Sequence, residues 1–501
     1  MEIELKEPSE VRLEKDRVIV LPFFSKKKPD LKSFAQIKDR VKDFLEEIAL
    51  LKEGEIRLAL SDKGRFLFVN IGEKEKWSQR RFLLFLRKTT RELKGQGVKK
   101  ALFILEGIFP KNSDVHNLSS QLAEGFLLAN YEFDRYKSSD KERFQPVSID
   151  VSWTGAKNYQ RDLEKGKIIG KAVNMVRDLA NAPGGEMTPE KLAEVATKEV
   201  SRVRKLDIEV FDEKKLRKLK MGGILGVSKG SSQKPRLIIL RHLAKKRAKE
   251  IDLVFVGKGI TFDSGGLDIK PSEYMQEMHM DMSGAAAVLG AVLAIAKLGY
   301  PLNVVGLIPA AENMPSGQSY RPGDILKTYS GKTIEVLNTD AEGRIILSDA
   351  LSFGVRRFKP TIIADVATLT GAAISALGQR AIALFTNVPT MEDFFRQLGE
   401  ASGDYVWPLP LWEEYEEEIK GTFGDIANVG KTKYGGAITA ALFLKEFVDN
   451  SPWLHLDIAP TMTSIEGQGL AKGATGTGTR YLIKLAERFP EIKKRIGQSR
   501  Q

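Results

Sequence analysis

Val336-Leu-Asn-Thr-Asp-Ala-Glu-Gly-Arg344 sets Asp340, Glu342 and Arg344 at alternate positions, where a strand pattern gives way to a helix pattern. Upstream, Thr333-Ile-Glu-Val-Leu337 alternates with period two; downstream, Ile346, Leu347, Ala350, Leu351, Gly354, Val355 and Phe358 recur at helical spacing. A strand-to-helix corner of this kind belongs to an α/β fold and puts two carboxylates and a guanidinium at the mouth of a sheet. While the chain stays extended, residues i and i+2 share a face, whereas a helix points them about 200° apart. The plainer reading is a helix start in which Asp340 caps and Glu342 complements the dipole. The surrounding chain argues against it.

From Asp207 onward apolar strands alternate with helices: Ile208 to Phe211, Leu237 to Leu240, Leu253 to Val256, Val304 to Ile308, Ile334 to Leu337, Ile362 to Val366 and Leu454 to Ile458. Several are unbroken apolar runs, as expected of a mostly parallel or mixed sheet with helices on both faces. Ligands of such sheets sit beyond the carboxyl ends of the strands, and the unusual polar residues fall there. After Val256 comes Gly257-Lys-Gly-Ile-Thr-Phe-Asp-Ser-Gly-Gly-Leu-Asp-Ile-Lys-Pro271, a glycine-rich loop holding Lys258, Asp263 and Lys270. His279-Met-Asp-Met-Ser-Gly284 then puts Asp281 at the head of a helix running to Leu298. Asp263, Asp281, Asp340 and Glu342 facing one crevice repel each other unless cations lie among them, which points to two divalent metals bridged by shared carboxylates. Oxygen-rich ligation suits Mn²⁺, Zn²⁺ or Mg²⁺. Lys258 and Lys270 each have two readings, a neutral amine ligand or an ammonium that polarises a carbonyl.

Competing motifs are thinner. Gly257-Lys258-Gly259 lacks P-loop spacing, and Gly473-Ala-Thr-Gly-Thr-Gly478 reads as a turn into the last helix. His455 and Asp457 share a strand face and could form a dyad, although a buried histidine paired with its neighbour for structure is the better reading. The role of His279 stays open. Ser264 and Ser283 have neither a nucleophile elbow nor a histidine base, and no HExxH occurs.

At 501 residues, 42% of them hydrophobic, the chain is long enough for two cores. Strand patterns at 17–24, 55–61, 65–71, 100–105 and 147–153, with helical patterns near 33–51, 77–94 and 115–133, mark a smaller α/β domain over 1–160 without a defensible site. A helical stretch near 158–180 leads into the catalytic α/β domain, 161–501. Thr188-Pro189-Glu190 opens a further helix with proline at its first position. Lys+Arg 78 against Asp+Glu 66 leaves a formal charge of +12, which could attract nucleic acid, but runs such as Lys26-Lys27-Lys28 and Lys245-Lys246-Arg247 lie beside turn signals and read as solvated loops. The absence of cysteine excludes disulfides, thiolate metal sites and a cysteine nucleophile and suits the cytoplasm. Met1-Glu-Ile-Glu-Leu-Lys-Glu has no apolar core of a signal peptide, and the apolar run Gly284–Ala296 is too short to cross a bilayer.

With these residues in place, the chain closely resembles the leucyl aminopeptidase (cytosol aminopeptidase) family of metallopeptidases. Asn338-Thr-Asp-Ala-Glu-Gly-Arg344 is similar to the family signature. Val256 to Gly266, Met280 to Ala286, Glu312 to Gly317, Arg321 to Asp324, Ala367 to Gly371 and His455 to Ala459 follow the family pattern in order. The likeness spans about 170 to 480; the first 160 residues match only in size and α/β character, the family's own amino-terminal domain being macro-like. The resemblance implies an aminopeptidase in which Asp263 and Glu342 bridge two metals, Lys258 and Asp281 complete one shell and Asp340 the other. It further implies that Lys270 polarises the scissile carbonyl, that Arg344 holds a bicarbonate, that the peptide needs a free amino terminus, and that six copies assemble. Gly185 and Thr477-Gly-Thr479 depart from the family pattern. The second departure leaves the leucine preference open beside a pocket expected to include Met278. Two competing readings are a nucleic-acid-binding regulator on a peptidase scaffold, suggested by a pI of about 9.3 and by DNA binding in some family members, and a two-metal phosphatase.

Overall fold

The structure, a computed structural model, describes residues 1–138, 147–244 and 250–499. The Lys245-Lys246-Arg247 run lies outside them. The chain forms two compact α/β units, one of Met1–Asn174 with Ser464–Lys472, the other of Met175–Thr463 with Gly473–Gln501.

The first unit holds a six-stranded sheet of β1 (Ile3–Lys6), β2 (Val18–Phe23), β3 (Ile56–Ser61), β4 (Gly64–Asn70), β5 (Lys100–Ile104) and β6 (Ser148–Ser152), in the order β1-β6-β5-β2-β4-β3. All neighbours are parallel except β3 and β4. β1 was invisible as a strand because charges interrupt it, yet Ile3 and Leu5 are buried and alternate with exposed Glu4, the period-two pattern of a strand with one buried face. Helices Gln79–Gly95 and Val115–Asn130 bury Leu83, Leu86, Leu122 and Phe126 against the sheet. The helix Gln160–Ala180 meets Val115–Asn130 at Gly166, where a Cβ would lie 1.9 Å from the Ser120 carbonyl oxygen. Backbone cannot yield as a side-chain tip does. Gly166→Ala is therefore expected to force the two helices apart and destabilise this unit by about 2–3 kcal/mol, the upper range for overpacking; a thermal or urea midpoint equal to the parent's would refute the close approach.

Twelve strands follow in the second unit: β7 (Leu206–Phe211), β8 (Arg236–Leu243), β9 (Leu253–Gly257), β10 (Gly259–Asp263), β11 (Asn303–Asn313), β12 (Ile325–Lys327), β13 (Thr333–Glu335), β14 (Ile362–Ala367), β15 (Ile382–Thr386), β16 (Val406–Pro408), β17 (Ile426–Ala427) and β18 (Trp453–Asp457). The main sheet runs β16-β15-β18-β14-β9-β11-β8-β7, with β10 beside β11; β12, β13 and β17 form a small separate sheet. The central strands β18, β14, β9 and β11 are parallel. Opposite faces of β11 carry different helices. Leu307 meets Gly354 of the helix Glu342–Phe358, while Gly306, one residue away, abuts Val288 and Val292 of the helix Ser283–Leu298. Two covered faces explain the unbroken apolar runs.

Three expectations change. The run Thr333–Leu337 is a strand only to Glu335 and belongs to the small sheet, because Val336 N–H turns to Asp324 O and Leu337 N–H to Asn428 Oδ1. The glycine-rich stretch after β9 is partly strand: β10 pairs with β11 and ends at Asp263. The helical stretch Met278–Leu298 is longer than the apolar run alone, 21 residues with mean hydropathy 1.6, sufficient by length to cross a bilayer; 83% of its apolar window is buried inside the fold, which makes it a core helix.

Candidate metal centre

The cluster is assembled from strand ends. Lys258 is the first residue past β9, fixed by its N–H to Val366 O (3.0 Å) and by Ala285 N–H to its own carbonyl (2.8 Å). Its side chain runs inward past Gly343, where a Cβ would stand 2.4 Å from Lys258 Cε, so only glycine leaves room for it. Lys258 Nζ then lies 2.8 Å from Asp281 Oδ1, 2.9 Å from Glu342 Oε1 and 2.7 Å from Thr368 O. Asp263 closes β10, and Lys270, held by its N–H to Ser264 O, lies 2.9 Å from Asp263 Oδ2 and pairs with Asp340 Oδ1. One oxygen each from Asp263, Asp340 and Glu342 lies within 4.8 Å of the others. Lys258, Asp263, Asp281 and Glu342 are all at least 96% buried.

Burial, with Asp263 close by, pushes Glu342 up to about 8 and Asp281 up to about 6, and raises Asp340. Burial works against the two ammonium groups, yet the surrounding carboxylates hold Lys258 and Lys270 above the ordinary lysine range. The carboxylates therefore keep their charge only beside cations. Asp281 Oδ2 and Glu342 Oε2 are buried without a hydrogen-bond partner among the described residues, although buried carboxylate oxygens ordinarily have one. Oxygen donors crowded to this degree, two of them open, fit divalent cations.

The corner itself differs from the extended form expected. Glu342 is the first residue of its helix and Arg344 lies within the first turn, so the two do not alternate along a strand. Nor does Asp340 cap that helix: the N-cap is Ala341, with no side-chain cap bond. Arg344 stands apart from the ion pairs, donating Nη1–H to Asn428 O at 2.7 Å and leaving Nε buried and unpartnered; burial pushes its pKa down to about 10. The helix is anchored by Asp349, which accepts from Tyr329 N–H (2.7 Å) and Ile224 N–H (2.9 Å).

Supporting residues passed unassigned in the sequence. Asn313 Nδ2 donates to Asp263 Oδ1 at 2.9 Å and to Thr339 O at 3.0 Å, and Thr368 Oγ1 donates to Asp281 Oδ1 at 2.6 Å. Their signal was position, since each ends or follows an apolar strand on the same sheet edge. His455 is paired otherwise than expected. Its Nδ1 meets Asp365 Oδ1 at 2.6 Å across neighbouring strands, while Asp457 accepts from Thr370 Oγ1 and Leu369 N–H; residues i and i+2 on one strand are farther apart than cross-strand neighbours. Trp453 Nε1–H completes the arrangement on Asp365 at 2.7 Å. Ser264 and Ser283 donate to the Asn313 and Met280 carbonyls, and His279 contacts Gln276 O rather than Asp281.

Residues 174–483 match the family model described as cytosol aminopeptidase family, catalytic domain, and residues 23–140 match that family's N-terminal domain. The second match extends the likeness into the first unit, where the sequence alone had shown only size and class. Similar chains include a probable cytosol aminopeptidase of Chlorobaculum tepidum, 45% identical over 74% of this chain and 75% of its own. Another, from Roseiflexus castenholzii, is 46% identical over 73% and 76%. Among solved structures, a tomato leucine aminopeptidase mutant superposes with TM-score 0.86 at 31% identity, covering 97% of this chain and 96% of that one. The bottromycin maturation enzyme BotP in complex with Mn reaches 0.81 at 30% identity, covering 94% and 99%.

Proposed function

Because this chain belongs to the cytosol aminopeptidase family, and is thus a metallo-aminopeptidase, we propose that its carboxylate cluster holds two divalent cations and releases single residues from free peptide amino termini. Asp263, Glu342, Lys258, Asp281 and Asp340 would hold the pair, with Asp263 and Glu342 as the shared carboxylates, Lys258 and Asp281 serving one cation and Asp340 the other. Mn²⁺ or Zn²⁺ suits this oxygen-rich set, with Mg²⁺ the weaker competitor beside an amine donor; a structural relative is solved in complex with Mn. A cation pair supplies Lewis acidity and an acidified water. The observation that carries the reading is the pair of unpartnered, fully buried oxygens on Asp281 and Glu342.

The chain's own groups do the rest. Lys270, the more exposed of the two lysines, donates to the scissile carbonyl oxygen and stabilises the negative charge that develops there. Arg344, whose buried Nε–H has no partner among the described residues, would hold a bicarbonate, which would supply a base for the proton of the attacking water. Thr368 and Asn313 keep Asp281 and Asp263 in place. A substrate with a free α-amine adds a ligand atom that an acylated one lacks. Acetylating the amino terminus of a leucyl peptide is therefore expected to reduce turnover to near background in a paired assay; comparable rates on both peptides would instead indicate an endopeptidase.

The same reading includes a cytoplasmic location, consistent with the absence of cysteine, and a homohexamer. Trp412 (62% exposed), Phe423 (83%) and Tyr434 (72%) on the second unit are large apolar groups that assembly would cover. Sedimentation is expected to give six copies; a fully active monomer would count against this assembly.

A further inference from the structure

Lys27, Lys28, Lys32, Lys38 and Lys74 surround one cleft of the first unit, and none of them makes an ion pair among the described residues. The cleft has a volume of about 390 Å³ and lies beyond the carboxyl ends of β2 and β5, between the segment that follows β2 and Glu106-Gly107-Ile108, which follows β5. These strands are parallel neighbours, but the chain leaves them in opposite directions: after β2 it builds β3 and β4 on one side, after β5 it builds β6 on the other. Such a switch in direction opens the crevice in which doubly wound sheets bind ligands.

The two carboxylates in the cleft are already engaged. Glu106 accepts from Thr154 N–H (2.8 Å) and Thr154 Oγ1 (3.0 Å), and Asp30 from the Lys32 N–H (3.3 Å). Five lysines against two carboxylates leave the lining of this concavity with a net positive charge. The floor is apolar, including buried Phe23, Leu31 and Ile108. The loop carrying the lysines turns at Lys26, whose φ is +60°. The sequence reading of Lys26-Lys27-Lys28 as a solvated loop accounts for their exposure but not for this convergence.

We infer that the cleft binds a small phosphate ester, its phosphate held by the lysines and its apolar part resting on the Phe23, Leu31 and Ile108 floor. The volume falls in the range of small-molecule sites and is too confined to receive a nucleic-acid duplex. The site is separate from the carboxylate cluster and does not depend on the function proposed for it.

Calorimetric titration of the full metal-loaded chain with adenosine 5′-monophosphate tests this, with inorganic phosphate and unphosphorylated adenosine as parallel arms. The nucleotide is expected to bind, more weakly as salt rises; phosphate is expected to bind less tightly and adenosine not measurably. The triple variant Lys28→Ala, Lys32→Ala, Lys38→Ala changes only exposed side chains and is expected to weaken nucleotide binding by about tenfold or more, the loss of at least one charge-assisted contact, with peptide hydrolysis unchanged. No binding of the nucleotide at millimolar concentration overturns the inference. So does binding that the triple variant leaves intact, which would place it elsewhere, or adenosine binding equal to that of the nucleotide. Inorganic phosphate binding as tightly as the nucleotide would overturn the ester assignment.

Discussion

Stripping divalent cations is expected to abolish peptide hydrolysis while leaving the chain folded, with Mn²⁺ or Zn²⁺ restoring the rate. The two halves of this expectation have separate causes. The loss follows from removing several kcal/mol of charge stabilisation at the reacting carbonyl, a fall of about 10³-fold or more. The persistence of the fold follows from the lysines, since Lys258 joins Asp281 and Glu342, and Lys270 joins Asp263 and Asp340. Each carboxylate keeps a cation beside it when the metals leave. Circular dichroism and activity measured on one chelated sample check both halves. Full activity in protein shown by elemental analysis to be metal-free would end the two-metal reading, and unfolding on chelation would refute the lysine clamp.

The second large effect separates those lysines. Lys258 is enclosed between Asp281, Glu342 and the Thr368 carbonyl and has no route to a substrate; Lys270 sits on the more open side, next to a one-third-exposed Asp340 side chain. Lys258→Ala is expected to weaken metal retention and to be partly rescued by excess Mn²⁺. Lys270→Ala is expected to keep both metals and lose on the order of 10²- to 10³-fold in turnover, the scale of an oxyanion donor. Metal content and rate measured together decide the matter. The opposite pattern reverses the assignment, and two variants with parental rates would leave both lysines without a part in the chemistry.

Much of this arrangement could be read in the chain because sheet geometry writes itself into order. Lys258 and Asp263 each end or follow an apolar strand, so the rule that places ligands at carboxyl edges gathers them with Asp340 and Glu342 from a distant part of the chain. Cross-strand partners were harder. Nothing near His455 names Asp365 as its partner, because the register of β14 against β18 is set by packing rather than by local pattern. Asn313 was hidden for a related reason, as one polar residue closing the 11-residue strand β11. Ser464–Lys472 returns to the first unit with no composition to announce it. The extended reading of Asp340 to Arg344 failed because a helix can begin on Glu342 without a capping side chain, which propensity does not anticipate.

The helix that bears Glu342 and Arg344 is buried without interruption from Glu342 to Val355, and this ties the fate of the chemistry to that of the core. Catalytic groups often ride on loops that open cheaply, at a small fraction of the global unfolding free energy. Here the turn that carries Glu342 is continuous with residues such as Ile346, Leu347 and Leu351 that fill the second unit. The amide hydrogens along this turn have no inexpensive opening through which to exchange with solvent. Fluctuations that release them also expose the interior, so heat should extinguish catalysis and cooperative structure over the same few degrees, and a protease should find no nick here that spares the rest.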